Sequence, residues 1–190
     1  MGTRGFLGFV ADGHETIIYN HCDSYPDGLG AAVLAYAKSV SDWAEVRTKA
    51  AAIVHVSDDL PPTDEQIAEL DRYMNRSVGE RRDRPDWYQL LRETQGDPSA
   101  VLEAGYAEHD PDWPGNSLFC EWGYLLDLDS ESLEVYAVFQ SGSQPQGRFG
   151  NRAKAHDGYG PVRLVASWSL HSLPEMDAFI SKVDPEDDDV

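Results

Sequence analysis

Apolar positions along the chain fall into blocks of different period. Gly5-Phe-Leu-Gly-Phe-Val10 is a short unbroken apolar run, and Glu15-Thr-Ile-Ile-Tyr-Asn20 mixes β-branched and aromatic residues that suit a pleated, half-buried surface. Asp12-Gly13 lies between them, and Asp-Gly between two such runs predicts a β-hairpin. Next, His21-Cys-Asp-Ser-Tyr-Pro-Asp-Gly28 concentrates the residues that make turns. Ala31 to Ala37 is apolar without a break, which predicts a helix buried nearly all round. Ser24 or Asp27 is positioned to cap it. Lys38, Ser39, Ser41 and Asp42 then open a polar face, Trp43 closes the helix on the core, and Glu45–Ala52 extends the helical region.

Further along, Ala52–Val56 reads as a short strand. Thr63-Asp-Glu-Gln66 is a capping box ahead of Ile67, Leu70, Tyr73 and Met74 at helical spacing. Asp86 caps a helix carrying Trp87, Leu90 and Leu91, which Gly96 ends. Asp97-Pro98 restarts one, and Gly105 ends that. His109–Asn116 is a loop. Phe119–Leu128 and Leu133–Phe139 flank the acidic segment Asp129–Ser132 and predict a second hairpin. Gln140–Pro161 is polar and glycine-rich, Val162–Leu170 is a last strand, and Ser172-Leu-Pro-Glu175 is a second capping box before a helix with Met176, Phe179, Ile180 and Val183 inward. The expected fold is α+β: an antiparallel sheet of about five strands, built from two hairpins and a late strand, with the Ala31 helix and the Thr63–Ala104 helices on one face. Residues 1–183 form a single domain, followed by an acidic, disordered tail over 184–190.

Composition narrows the function. The net charge is −19, and the acids are not confined to the tail. Such a surface disfavours nucleic acid and anionic membrane as partners. No apolar stretch reaches a membrane span, no signal peptide is visible, and Phe6 stands where a myristoylation motif needs Ser or Thr. The two cysteines, Cys22 and Cys120, make no disulfide or metal framework, so a reduced, cytoplasmic setting is expected, with no cofactor and no metal.

Phosphate-loop, dinucleotide, HExxH and GxSxG motifs are all absent. The chemistry-bearing stretch is the turn itself. His21 with Asp23 or Asp27 has the residue types for acid–base work in a hydrolysis. Arg4, Asn20 and Tyr25 are candidate walls of a small-ligand site. Gly28 and Gly30 fall in the first turn, where unpaired N–H groups attract anions; the alternative is that these glycines let the helix pack tightly on a strand. Arg148, Arg152 and Lys154 form a basic island, without acids from Gln140 to His156, that is expected to fold over an anionic ligand as a lid. The competing reading is an acidic, non-enzymatic protein that engages a basic host partner, as a polyanion mimic or a defence inhibitor; a third is an assembly domain.

Hairpin, polar loop and helix in that order resemble the N-terminal-nucleophile hydrolases. The resemblance departs at the residue that mechanism requires, because Met removal exposes Gly2 and only a further cleavage would expose Thr3. Thr3-Arg-Gly5, Tyr19-Asn-His-Cys-Asp-Ser-Tyr-Pro-Asp-Gly-Leu-Gly30, Leu90-Leu-Arg-Glu-Thr-Gln-Gly96 and Ser117–Asp129 together resemble an uncharacterised family of actinobacteria and their phages. That resemblance implies a cytoplasmic, phage-derived origin and assigns no catalytic residue.

Overall fold

A computed structural model describes residues 2–80, 83–137, 147–153 and 156–183. In chain order they form β1 (Gly5–Ala11), β2 (His14–Asn20), α1 (Ala31–Ser39), α2 (Trp43–Ala51), β3 (Val54–Val56), α3 (Asp64–Leu70), α4 (Trp87–Leu90), α5 (Pro98–Ala104), β4 (Tyr106–Glu108), β5 (Trp122–Asp127), β6 (Ser132–Ala137), β7 (Arg163–Ser169) and α6 (Met176–Val183). The architecture is α+β. Val138–Phe139 of the second hairpin, lid residues 140–146, Lys154 and the 184–190 tail lie outside the described residues.

Both hairpins form where local signals place them. Asp12 (φ 52°) and Gly13 (φ 76°) are both left-handed, as the tight turn between β1 and β2 requires. The five-stranded sheet runs β2-β1-β5-β6-β7. Its centre departs from expectation: β1 and β5 are parallel, Gly5 opposite Trp122 and Val10 opposite Asp127, while the other pairs are antiparallel. A parallel junction needs a crossover, and residues 21–121 supply it with five helices. Every residue of β1 is buried, which accounts for its unbroken apolar run in place of alternation.

The two sheet faces are covered differently. Leu7, Phe9, Tyr124, Leu126, Leu133 and Val135 pack under α1, α2, α5 and α6. Phe6, Val10, Ile17, Leu125 and Tyr136 point the other way, against Cys120, Phe149 and Val162 from connecting segments. Helices α3 and α4 lie off the main sheet. Leu70, Trp87, Leu90 and Leu91 form a satellite core with Ala104, Val56 and Tyr106, beside the parallel pair β3–β4. Strand β4 had no sequence signal, because three residues are too few to show a period. The described residues hold one five-stranded sheet and a small ribbon, and Thr3 is buried.

Several helix ends follow sequence expectation. Thr63 and Gln66 make the reciprocal capping box, Asp86 accepts from the Gln89 N–H, and Asp97 caps α5, which left-handed Gly105 ends. Others differ. Asp42 caps Ala44 and Glu45, so α1 and α2 are separate helices. Ser172 does not cap α6, which starts after Glu175. Neither Ser24 nor Asp27 caps α1; Pro26–Gly30 instead forms a π-helical turn running straight into it.

The ribbon is fastened to the edge of β2 by two histidines. His109 accepts the Ile17 N–H on Nδ1 at 2.9 Å, the Asp110 N–H returns to the Ile17 carbonyl, and His55 Nε2 sits 2.8 Å from Thr16 Oγ1. Their rings stack with centroids 4.2 Å apart. Burial, then the neighbouring His109 and His14, lower the pKa of His55; burial also lowers that of His109, helped by Arg152 and against the Ile17 backbone, Glu15 and Asp110, which raise it. A histidine whose folded pKa is depressed contributes stability above its unfolded value near 6.5, lost as pH falls through the folded value. An imidazolium also has no lone pair on Nδ1 to accept the Ile17 N–H. The unfolding free energy is therefore expected to drop below pH 6.5, with loss of hydrogen-exchange protection at Ile17. His109→Gln should flatten that dependence; an unchanged slope would remove the histidine junction as its cause.

Candidate functional site

Strand β2 ends at Asn20, which is buried and donates from Nδ2 to the Cys22 carbonyl (2.6 Å) and to Ser24 Oγ (2.7 Å). Ser24 is fully buried; its N–H bonds the Thr3 carbonyl and its own carbonyl accepts the Tyr124 hydroxyl at 3.1 Å. The loop is thus pinned to the start of β1 and to β5, and Asn20 is a clamp within it. The first-turn N–H groups are already used: Gly28 and Gly30 donate to the Tyr25 carbonyl at 3.0 and 3.2 Å, and Leu29 to the Asp23 carbonyl at 2.9 Å. The anion cradle expected at Gly28 and Gly30 is therefore closed from within. The glycines serve close packing instead. A Cβ on Gly30 would lie 2.8–2.9 Å from the Tyr124 ring and hydroxyl, and one on Gly28 would lie 2.4 Å from the Asp23 carbonyl oxygen.

The acid–base residues do not come together. His21 is exposed and its Nδ1 pairs with the Tyr19 hydroxyl at 3.1 Å; no hydrogen bond joins it to Asp23 or Asp27. Tyr25 and Asp27 are exposed. Arg4 sets its guanidinium 4.9 Å from the centre of the Phe119 ring. Arg148 and Arg152 do not reach this loop. Arg148 binds Glu134 and Asp127, and Arg152 binds Glu15 at 2.8 Å and the Pro111 carbonyl. Glu134 alternates with Leu133 and Val135, so this arginine lies across the sheet from α1. Carboxylates distant in sequence occupy both arginines, which counting charge along the chain does not reveal.

A different segment faces the loop. Asn20, Cys22, Asp23, Gly28, Leu29 and Ala32 form one wall of a cleft of about 430 Å³, and Asn75, Val78, Arg92, Glu93, Gln95 and Gly96 form the other. That volume falls in the ~300–1,000 Å³ range of small-ligand sites. The cation on the wall is Arg92, just past α4. Its Nη1 donates to Gln95 Oε1, and its guanidinium is 5.8 Å from the centre of the Tyr88 ring. Sequence reasoning missed Arg92 because nothing local distinguishes it from a surface arginine.

Next to the cleft, across Gln95, is a recess of about 40 Å³ lined by Ile18, Tyr19, Leu91 and Glu108 among others, with room for a few waters. Burial, helped by Asp58 and Asp86, pushes the Glu108 carboxyl up to about 7. Cys22 is exposed at the cleft, whereas Cys120 is buried and its thiol pKa is raised well above the usual range by burial. Among the described residues no group of three or more His, Cys, Asp or Glu could hold a metal, and no helix is long and apolar enough to cross a membrane. Comparison with family models, curated proteins and solved structures returns no match.

Proposed function

We propose that the chain binds a small ligand carrying a carboxylate or phosphate in the cleft between the 20–32 segment and the 92–96 segment, with Arg92 receiving the anionic group. One observation carries this reading: two segments far apart in the chain, 20–32 and 92–96, line a single cavity of ligand size, and Arg92 is on that lining without an ion-pair partner among the described residues. A guanidinium presents donors in a fixed fork that matches carboxylate and phosphate oxygens. No catalytic step is assigned, since His21 is paired with Tyr19 and is not part of the cleft lining.

The test is titration calorimetry with a panel of small carboxylates and phosphates. A charged hydrogen bond contributes about 1.5–3 kcal/mol, so Arg92→Gln should weaken binding by roughly 10- to 100-fold. Arg148→Ala should leave affinity unchanged in protein that remains folded. Equal affinity in wild type and Arg92→Gln would overturn the assignment.

The rival reading, an acidic protein that engages a basic partner, draws on a separate observation. The chain carries 34 Asp and Glu against 15 Lys and Arg, a net charge of −19, and seven of those cations, Lys38, Arg47, Lys49, Arg72, Arg84, Arg148 and Arg152, are held in ion pairs. A salt-sensitive stoichiometric complex with a basic protein would favour it.

A further inference from the structure

The cleft wall is bipolar, and this sharpens the chemistry of the ligand, provided that the cleft is the ligand site proposed for it. Arg92 and Glu93 line the cleft together with Asp23 from the other wall. Glu93 is occupied, accepting from Asn75 Nδ2 at 2.6 Å, and Asn75 Oδ1 takes the Ser77 N–H at 2.9 Å and the Ser77 hydroxyl. The Asp23 carboxylate has no hydrogen-bond or ion-pair partner among the described residues. Its position is nevertheless constrained. Asp23 has a left-handed backbone (φ 62°), its carbonyl is held by the Leu29 N–H, and a Cβ on Gly28 would come within 3.2 Å of its carboxyl carbon. Any side chain at position 28 would therefore crowd the carboxyl group.

The cleft thus shows one cation, Arg92, and two carboxylates, Glu93 tied to the Asn75 amide and Asp23 without a partner among the described residues. An inorganic anion bound at Arg92 would also feel the negative field of Asp23, and a simple amine bound at Asp23 would feel Arg92. A molecule bearing both charges turns each repulsion into an attraction. We propose that the cleft takes a zwitterion, a free amino acid or a dipeptide, with its carboxylate on Arg92 and its ammonium on Asp23. A volume of about 430 Å³ accommodates a ligand of that size.

The decisive experiment is titration calorimetry of the full chain with L-alanine and glycylglycine, against N-acetyl-L-alanine (no ammonium), L-alaninamide (no carboxylate) and inorganic phosphate. The zwitterions are expected to bind at least tenfold more tightly than the other three. Asp23→Asn, which keeps a residue tolerant of the left-handed backbone, should bring N-acetyl-L-alanine level with L-alanine, and Arg92→Gln should weaken every carboxylate. Thermal midpoints confirm that both variants fold. If N-acetyl-L-alanine or phosphate matches the zwitterions in wild-type protein, the zwitterion assignment is overturned while the anion reading stands. If no carboxylate or phosphate binds, or if alaninamide binds best, both fall.

Discussion

Gly30→Ala is expected to lower the unfolding free energy by roughly 1–3 kcal/mol, although alanine is the better helix former by about 1 kcal/mol. The opposing effect is steric. The new methyl would lie 2.8–2.9 Å from three atoms of Tyr124, a fully buried ring whose hydroxyl holds the Ser24 carbonyl. The ring can yield only by losing that bond, about 1 kcal/mol, and by disturbing the packing beneath α1 and α6. Chemical denaturation of Gly30→Ala, Tyr124→Leu and the double variant checks this. If the clash is the cause, the alanine costs less in the leucine background, and the two changes do not add. Strict additivity would show that Gly30 matters for some other reason.

Arg148→Ala is expected to cost about 2–4 kcal/mol at neutral pH. Its guanidinium binds Asp127 and, at 2.9 Å, Glu134, and Glu134 also accepts the Tyr136 hydroxyl at 2.5 Å. The side chains of Asp127 and Glu134 are only 7% and 15% exposed, so removing the cation leaves two nearly buried carboxylates uncompensated. The expected cost is set below the 3–5 kcal/mol typical of a fully buried pair because a quarter of Arg148 remains in water. Burial by itself would raise the Asp127 pKa, but the Ser130 N–H and Arg148 hold it below the ordinary aspartate value of 3.8. A depressed carboxyl contributes stability above its unfolded pKa, lost as pH falls through the folded one. In wild type that contribution should therefore disappear below about pH 4. In Arg148→Ala the deficit should shrink over the same range, since protonated carboxyls need no cation. A deficit independent of pH would mean that packing of the arginine stem, and not its charge, is what was lost.

These two sites show where reading the chain succeeded and where it stopped. The Asp12-Gly13 turn, the Thr63–Gln66 box and the Asp97-Pro98 start with Gly105 as its stop were legible because each is decided by a few neighbouring residues. The glycines before α1 were noticed for the same reason, but their role was not readable. An open first turn and a helix pressed onto a ring make the same demand for a missing side chain, and only the position of Tyr124 distinguishes them. Arg148 stood out as a cation in a stretch without acids; in space it is enclosed by acids from β5 and β6. Arg92 drew no attention, and the crossover brought it to the cleft.

By itself the sequence determined the fold class, both hairpins and the starts of α3, α4 and α5, because each depends on short-range sterics, capping or the period of apolar residues; it overstated the burial of α1, where Val33, Leu34 and Ala37 face the core but Ala32 and Ala35 are exposed. Tertiary structure alone decided that the hairpins join in parallel, that a ribbon fastened by His55 and His109 covers the edge of β2, and that Asp23 shares a cleft with Arg92. Pairing across a hundred residues depends on which surfaces the crossover helices bury together, and no local pattern of residues encodes which charges then meet.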